Sequence, residues 1–134
     1  MTWTDGYVGI PFVERGRDRS GCDCYGLLRL VLIEQRGIEL PPYTEDYASS
    51  MDRSGNAGRI AARPLLLGFE HVDPGRVKPF DVLVIRAAGF NCHLALVVDK
   101  RQALHTERGK GAILEEFNRP HFRPRIREAW RYAD

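Results

Sequence analysis

Residues 23–37 read DCYGLLRLVLIEQRG, a polar residue followed by apolar positions at helical spacing and then a glycine. Asp23 can cap a helix by accepting a hydrogen bond from a backbone N–H of the first turn. The leucines and the valine that follow recur on one helix face, and Gly37 is a typical helix end. The stretch therefore predicts a helix over residues 24–36 that begins with Cys24.

After residue 80 the pattern changes to short runs of β-forming residues separated by glycine or polar turns. This spacing is typical of successive antiparallel strands. The predicted strands are residues 81–85, 93–98, 103–106 and 112–115. A helix followed by such a meander predicts an α+β domain, with the helix packed on one face of the sheet. Residues 1–22 are loop-rich, and residues 56–67 predict a second, short helix.

Length and composition suit a single domain over residues 1–134, because 43% of the 134 residues are hydrophobic. No apolar stretch approaches the roughly 20 residues of a membrane span, and the first residues lack the pattern of a signal peptide. We therefore predict a protein made in the cytoplasm without a signal peptide and without a membrane partner. Three cysteines make no disulfide framework and leave at least one thiol free.

The charge of the chain gives little support to a nucleic-acid partner, since the formal net charge is +2. One basic patch is present at residues 117–134, with five arginines against two acidic residues. We predict a solvated edge strand or tail for this patch. The alternative is contact with an anionic polymer or a partner protein.

Cys24 falls in the first turn of its predicted helix. Backbone N–H groups without helical partners and the positive end of the helix dipole favour a thiolate there. The same N–H groups can hold the oxyanion that forms when a thiolate attacks a carbonyl. The alternative is a buried cysteine that only fills core volume.

Two histidines follow on predicted strands. His93 shares a face with Ala95 and Val97, because alternate residues of a strand point to the same side. If the helix covers that face, His93 can reach Cys24 as a general base. His105 lies on the next strand, where it can orient the His93 ring by a hydrogen bond. The three residues are candidates for the catalysis of hydrolysis or acyl transfer.

A zinc module is the competing class of site. Cys22, Cys24, Cys92 and His93 together have the composition of a structural zinc site. Cys92 and His93 are strand neighbours that point to opposite faces, and Cys22 and Cys24 are closer together than zinc-binding cysteines usually are. We therefore predict neither a metal nor a cofactor.

These motifs resemble a known family. DCYGL at residues 23–27, YVGIPF at 7–12, HLALV at 93–97 and LHT at 104–106 look like the NlpC family of papain-like cysteine cell-wall peptidases. The resemblance implies a papain-like fold with Cys24 as nucleophile, His93 as base and His105 as orienter. It also implies a peptidoglycan hydrolase that cuts the stem peptide between D-glutamate and a diamino acid.

The aromatic Tyr25 stands where many bacterial members have Ser, and in this the chain is similar to the branch encoded by tailed phages and gene transfer agents. That resemblance implies an enzyme carried on a virion or tail particle, with tail proteins as partners. It would act in the periplasm or cell wall of the target cell. Two alternatives are a catalytically silent tail-assembly or wall-binding component and a secreted amidase toxin of the same fold.

The chain departs from the family pattern at two places. Many members have a Tyr at the position of Phe12, and its hydroxyl helps to form the oxyanion site. The usual Pro-Gly-Asp before the first strand reads Pro-Phe-Asp at residues 79–81. The departure at Phe12 affects the expected chemistry, and the departure at residues 79–81 affects only the fold.

The resemblance places Phe12, Asp23 and Tyr25 in the oxyanion or substrate region. Because Phe12 has no donor, the backbone N–H of Cys24 carries more of the oxyanion's charge, or the hydroxyl of Tyr7 or Tyr25 takes over. An added hydroxyl at position 12 is expected to raise turnover if the ring lies over the active site.

Overall fold

The computed structural model describes residues 2–41, 68–87 and 90–133. The helix is α1 (Cys24–Arg36), and the strands are β1 (Arg17–Asp18), β2 (Gly21–Cys22), β3 (Phe69–Val72), β4 (Val82–Ala87), β5 (Phe90–Val97), β6 (Gln102–Glu107), β7 (Gly111–Glu116) and β8 (Ile126–Tyr132). The second helix predicted at residues 56–67 lies outside the described residues. Within them, no helix combines the length and the apolar character needed to cross a membrane.

Helix α1 has the predicted span, and capping groups at both ends explain its limits. The side chain of Asp23 accepts a hydrogen bond from the backbone N–H of Gly26 at 2.8 Å. At the other end Gly37 adopts a φ of 66°, and its N–H donates to the carbonyl of Ile33. Glycine adopts this left-handed conformation without the steric penalty of a Cβ atom.

Six strands form one antiparallel sheet in the order β3-β8-β4-β5-β6-β7. The four predicted strands correspond to β4 through β7, with ends that differ by a few residues. Strands β5 and β6 pair at Leu96 with Leu104 and at Val97 with Ala103. Among the described residues this ladder goes no further, so the two strands separate toward the His93 end of β5.

The prediction of a solvated edge strand or tail over residues 117–134 is wrong. Strand β8 lies inside the sheet, with β3 on one side and β4 on the other. Ala129 and Trp130 are buried, and they belong to cores on opposite faces of the sheet. The arginines suggested a solvated segment, but partners allow them to lie within the fold. Arg131, for example, pairs with the buried Asp81 at 2.8 Å. Strand β3 is also absent from the sequence prediction.

The two faces of the sheet have separate cores. The core beneath α1 includes Val82, Val84, Leu94, Leu96 and Leu104. The core on the other face includes Leu83, Ile85, Ala95, Val97, Phe117 and Phe122. The body of α1 therefore covers the face opposite to Ala95 and Val97, so the condition stated for His93 to meet Cys24 is not fulfilled along the helix. Any approach of the two residues has to occur at the N-terminal end of α1.

Phe80, at the glycine position of the family pattern, has a φ of 73°. A bulky residue in this left-handed region costs roughly 1–2 kcal/mol. The ring stacks on Trp3 with centroids 5.1 Å apart, and the guanidinium of Arg36 lies 5.5 Å from the centroid of the Phe80 ring. These contacts offset the strain and lie at the C-terminal end of α1, away from Cys24.

Candidate active site

Cys24 is the first residue of α1 and is partly exposed. The leading N–H groups of a helix have no partner inside the helix, and the positive end of the helix dipole lies beside them. Both features favour the thiolate form of a cysteine. A narrow gap beneath the first turns of α1 is lined by Cys24 on one side and by residues 94–96 of β5 on the other. The nucleophile candidate thus lies against the strand segment that directly follows His93.

Asp23 is buried and holds the chain that leads into Cys24. Its Oδ1 accepts the Gly26 N–H and a hydrogen bond from Nη1 of Arg17 at 2.7 Å. Its Oδ2 accepts the backbone N–H of Arg15 at 3.2 Å. A buried carboxylate with these three donors anchors the first turn of α1 and so positions the cysteine.

The hydroxyls of Tyr25 and Tyr7 point to partners other than the oxyanion site. Tyr25 is buried and donates to the carbonyl of Pro41 at 2.6 Å. Tyr7 donates to Oε1 of Glu34 at 2.7 Å. A hydroxyl has one proton to donate, so this arrangement gives neither tyrosine an oxyanion role. Of the donors named from the sequence, the backbone N–H of Cys24 remains.

Phe12 lies between the segment that leads to Cys24 and the turn that follows β6. Its backbone forms a bridge with Cys22, and the guanidinium of Arg108 lies 5.3 Å from the centroid of its ring. Arg108 in turn pairs with Glu14. The Phe12 ring is half-buried, so one of its faces meets a cation while part of the ring stays accessible.

His93 and His105 are in direct contact. Nε2 of His93 lies 2.9 Å from Nδ1 of His105. His105 is 1% exposed and packs edge-on against Phe122. Burial, followed by repulsion from the protonated form of His105 and from Arg125, lowers the pKa of His93 well below its ordinary value. His93 is therefore a neutral imidazole near neutral pH, which is the form that can accept a proton.

Glu115 extends this pair into a hydrogen-bonded chain that sequence reasoning missed. Its Oε1 lies 2.8 Å from Nε2 of His105, and its Oε2 lies 2.6 Å from Nε2 of the exposed His121. Partial burial works to raise the pKa of Glu115, but hydrogen bonds from His121 and His105 and the charges of both rings bring it below its ordinary value. Glu115 is therefore ionised near neutral pH.

The ionised Glu115 determines which ring nitrogens carry protons. A carboxylate only accepts hydrogen bonds, so a neutral His105 ring has its proton on Nε2 and accepts with Nδ1. His93 must then donate from Nε2, which leaves the lone pair of its Nδ1 for the proton of a thiol. The chain from Glu115 through His105 to His93 therefore prepares a general base.

The register of the β6–β7 hairpin contains the signal for Glu115. It places His105 opposite Ile113 and Ala103 opposite Glu115. Because residues two apart on a strand share a face, Glu115 is a diagonal neighbour of His105 on the same face. A hairpin centred on the turn at residues 108–110 would have predicted this contact from the sequence.

Cys22 differs from Cys24 in the properties that control thiol reactivity. It is buried, and its Sγ lies 3.0 Å from the carbonyl oxygen of Asp18. Burial, together with the charges of Asp23 and Asp18, raises the pKa of the Cys22 thiol to about 11. A thiol of this kind is inert toward electrophiles near neutral pH.

A metal site built on cysteines finds no support in the described part of the chain. There, the candidate metal ligands are His93, His105 and Glu107, whose ligand atoms lie within 4.8 Å of one another. Neither of the two cysteines with described side chains belongs to this group, and the side chain of Cys92 falls outside the description.

A family model matches the chain over residues 9–131 and describes the NlpC/P60 family. The chain belongs to this family. NlpC/P60 members are cysteine peptidases that hydrolyse peptidoglycan. The resemblance to the NlpC family and the papain-like α+β fold expected from it are therefore confirmed.

Among curated proteins, the chain is 24% identical over 128 residues to the murein DD-endopeptidase MepS/murein LD-carboxypeptidase of Escherichia coli K12. The match covers 93% of this chain and 57% of that relative. The chain thus spans little more than half the length of the curated relatives it matches.

Solved structures show the same NlpC/P60 fold. The NlpC/p60 domain of the peptidoglycan hydrolase SagA superimposes with a TM-score of 0.65 at 19% identity, covering 94% of this chain and 89% of that one. An NlpC/P60 protein from Bacillus cereus gives a TM-score of 0.69 at 18% identity, with 96% of this chain and 37% of that chain covered.

Proposed function

We propose that this NlpC/P60 chain is a cysteine peptidase that hydrolyses the stem peptide of bacterial peptidoglycan. The observation that carries the proposal is the hydrogen-bonded run from Glu115 through His105 to His93, which leads to the strand segment facing Cys24. A cysteine at a helix N-terminus, with an oriented general base nearby, provides the two groups that catalyse acyl transfer. Family membership supplies the substrate class.

In the first half of the reaction, Nδ1 of His93 accepts the proton of the Cys24 thiol, and the sulfur attacks the carbonyl carbon of the scissile amide. The C–O π electrons move onto oxygen, where N–H groups at the start of α1 stabilise the negative charge. When the tetrahedral intermediate collapses, the C–N bond breaks and His93 gives its proton to the leaving amine. The acyl group remains on Cys24 as a thioester.

In the second half, His93 accepts a proton from water, and the resulting hydroxide equivalent attacks the thioester. The C–S bond then breaks, the carboxylic acid leaves, and the proton returns to the sulfur. In both halves His93 holds a positive charge transiently. His105 and the carboxylate of Glu115 stabilise this charge through the same hydrogen bonds that orient the neutral ring.

Within this function, the bond proposed is the amide between D-glutamate and the diamino acid, and the setting proposed is a phage or phage-like tail. The support for both is the resemblance carried by the DCYGL motif. Tail proteins would be the partners, and the enzyme would act in the periplasm or wall of the target cell. The name of the curated relative points to other wall bonds, those cut by a DD-endopeptidase and an LD-carboxypeptidase.

Digestion of purified peptidoglycan, followed by mass analysis of the released fragments, tests the reaction and the bond together. The proposal expects fragments with a new carboxyl group on D-glutamate and a new amino group on the diamino acid. Products of DD or LD cleavage would support the peptidase activity but would replace the bond proposed here as its target. If the folded wild-type protein releases no more than its Cys24→Ala variant, the silent wall-binding alternative replaces the enzyme.

Loss of the Glu115 carboxylate is expected to slow hydrolysis. Glu115→Ala removes the acceptor that keeps the His105 proton on Nε2, so part of the population has the wrong tautomer at His93. We expect kcat to fall about 10- to 100-fold, by analogy with the loss of outer partners of metal-bound histidines, with little change in KM. Steady-state rates on a defined stem peptide measure both constants.

Glu116→Ala is the matched control, because Glu116 neighbours Glu115 but pairs with Arg101 and Arg119 instead. It should leave kcat close to wild type. Glu115→Gln should recover part of the lost rate, since its carbonyl can accept the same hydrogen bond. Equal rates in Glu115→Ala and Glu116→Ala would remove Glu115 from the catalytic arrangement.

Phe12→Tyr is expected to raise turnover. The Phe12 backbone pairs with Cys22, two residues before Cys24, and part of the ring stays accessible. The prediction takes the added hydroxyl to face Cys24, where it acts as an oxyanion donor. One such donor in a prepared site is worth up to about 3 kcal/mol. Turnover on the defined peptide is compared with a thermal melt. A lower melting temperature without a gain in rate would show that the added hydroxyl lies in apolar surroundings.

A further inference from the structure

Three potential metal ligands lie together where β5 and β6 separate. Ligand atoms of His93, His105 and Glu107 are all within 4.8 Å of one another. Nδ1 of His105 lies 2.9 Å from Nε2 of His93 and 3.8 Å from Oε1 of Glu107. Around a tetrahedral zinc ion with bonds of about 2.0–2.1 Å, neighbouring ligand atoms are roughly 3.4 Å apart. These two separations bracket this value, and the third pair lies within 4.8 Å, so side-chain rotations can bring the three atoms onto one ion.

The hydrogen bonds of this group also resemble those of a metal site. Nε2 of His105 already bonds the Glu115 carboxylate at 2.8 Å, which is the outer partner that metal-bound histidines typically have. Oε2 of Glu107 lies 3.5 Å from Nζ of Lys110, while Oε1 faces His105. Two imidazoles and one carboxylate form a ligand set that binds Zn²⁺ and leaves one position for water.

We propose that His93, His105 and Glu107 form a zinc-binding site through which Zn²⁺ reversibly inhibits the enzyme. The inhibition rests on the proposed function, whereas the binding does not. Zinc and catalysis use the same two imidazoles, so the two states exclude each other.

The tautomer of His93 explains how zinc would inhibit. In the catalytic state the proton of the neutral His93 ring is on Nε2 and its lone pair is on Nδ1. Zinc takes the place of the proton between the two rings, so Nε2 becomes a ligand and the proton moves to Nδ1. A ring with its proton on Nδ1 cannot accept the proton of Cys24, so the base is switched off until the metal leaves.

Calorimetric titration of the purified chain with Zn²⁺, in a phosphine reductant, tests the binding. We expect one zinc per chain. Glu107→Gln should weaken the affinity at least about 10-fold, and Glu116→Gln should bind as the wild type does. The proposal is overturned if zinc does not saturate at one site or if Glu107→Gln binds like the wild type.

Cys24→Ala separates this site from the other one that zinc could use, a thiolate bridged to His93. The proposal expects Cys24→Ala to keep the wild-type zinc affinity. Co²⁺ should then give visible d–d bands without the near-ultraviolet charge-transfer band of a sulfur ligand. Loss of binding in Cys24→Ala, or a sulfur charge-transfer band in the wild type, overturns the assignment.

Long-range ¹H–¹⁵N spectra of the histidine rings are recorded on the wild-type protein. They test the proposal even if Glu107→Gln does not fold. The His93 ring should change from Nε2–H to Nδ1–H when zinc is added, and an unchanged tautomer overturns the proposal.

Activity assays test the inhibition. Zinc should inhibit the wild type, and Glu107→Gln should match the metal-free rate of the wild type while resisting zinc. Absence of hydrolysis in any sample would contradict the proposed function alone, since the calorimetry reports binding independently.

Discussion

Cys24→Ala is expected to abolish hydrolysis of peptidoglycan, with a fall in kcat/KM of at least about 10⁴-fold, because loss of a nucleophile removes the covalent route altogether. Cys22→Ser is the matched control. Its hydroxyl can donate to the Asp18 carbonyl as the thiol does, so the fold and the rate should both persist. Release of soluble wall fragments and steady-state rates on a defined stem peptide measure the effect.

Alkylation gives a second measurement of the same prediction. Iodoacetamide at neutral pH should label Cys24 and spare Cys22, since of the two cysteines with described side chains Cys24 alone combines partial exposure with a helix N-terminus. The buried Cys22 thiol, with its pKa raised to about 11, is almost entirely protonated under these conditions. Full activity in Cys24→Ala, with unchanged melting temperature, would contradict the catalytic assignment.

The helix and the central meander could be predicted because local signals agree with the final structure. Asp23 and Gly37 set the two ends of α1 through short-range hydrogen bonds, so the predicted span over residues 24–36 is confirmed. Strands β4 to β7 follow one another with short turns, and neighbours in sequence are neighbours in the sheet.

Strands β3 and β8 could not be predicted in the same way because their pairing is long-range. Phe69 at the start of β3 pairs with Tyr132 near the end of the chain. Arginines in β8 suggest a solvated strand, yet Arg131 finds the buried Asp81 as its partner. Such a partner is invisible until the fold brings two distant segments together.

Part of the candidate site could be predicted from the pairing of successive strands. The hydrogen bond between His93 and His105 follows from the expected pairing of successive strands, and the two rings do meet. The sequence left open which face of the sheet α1 covers, since strand periodicity defines two faces but does not say which one the helix takes. Glu115 was missed because an acidic residue on a strand looks like a solvated side chain until the hairpin register is known.

His93→Ala is expected to reduce kcat at least about 10³-fold, and His105→Asn about 100-fold or less. His93 takes the thiol proton and returns it to the leaving amine, so its loss removes both proton transfers. His105 acts through His93: its Nδ1 accepts from Nε2 of that ring while its Nε2 bonds Glu115. The Asn side chain can still accept from His93 but is too short to reach Glu115 as well, so the ring loses orientation while keeping its function.

The order of these two effects tests the chain of hydrogen bonds, because a purely structural pair would not rank them this way. His105 is the more deeply buried ring, so an effect on packing alone would make His105→Asn the more damaging change. Rates on a defined stem peptide are read beside thermal melts, with His71→Ala as a control for an exposed histidine on β3. If His105→Asn loses more rate than His93→Ala at equal folding, His93 is not the base, and the roles assigned to the two rings must be exchanged.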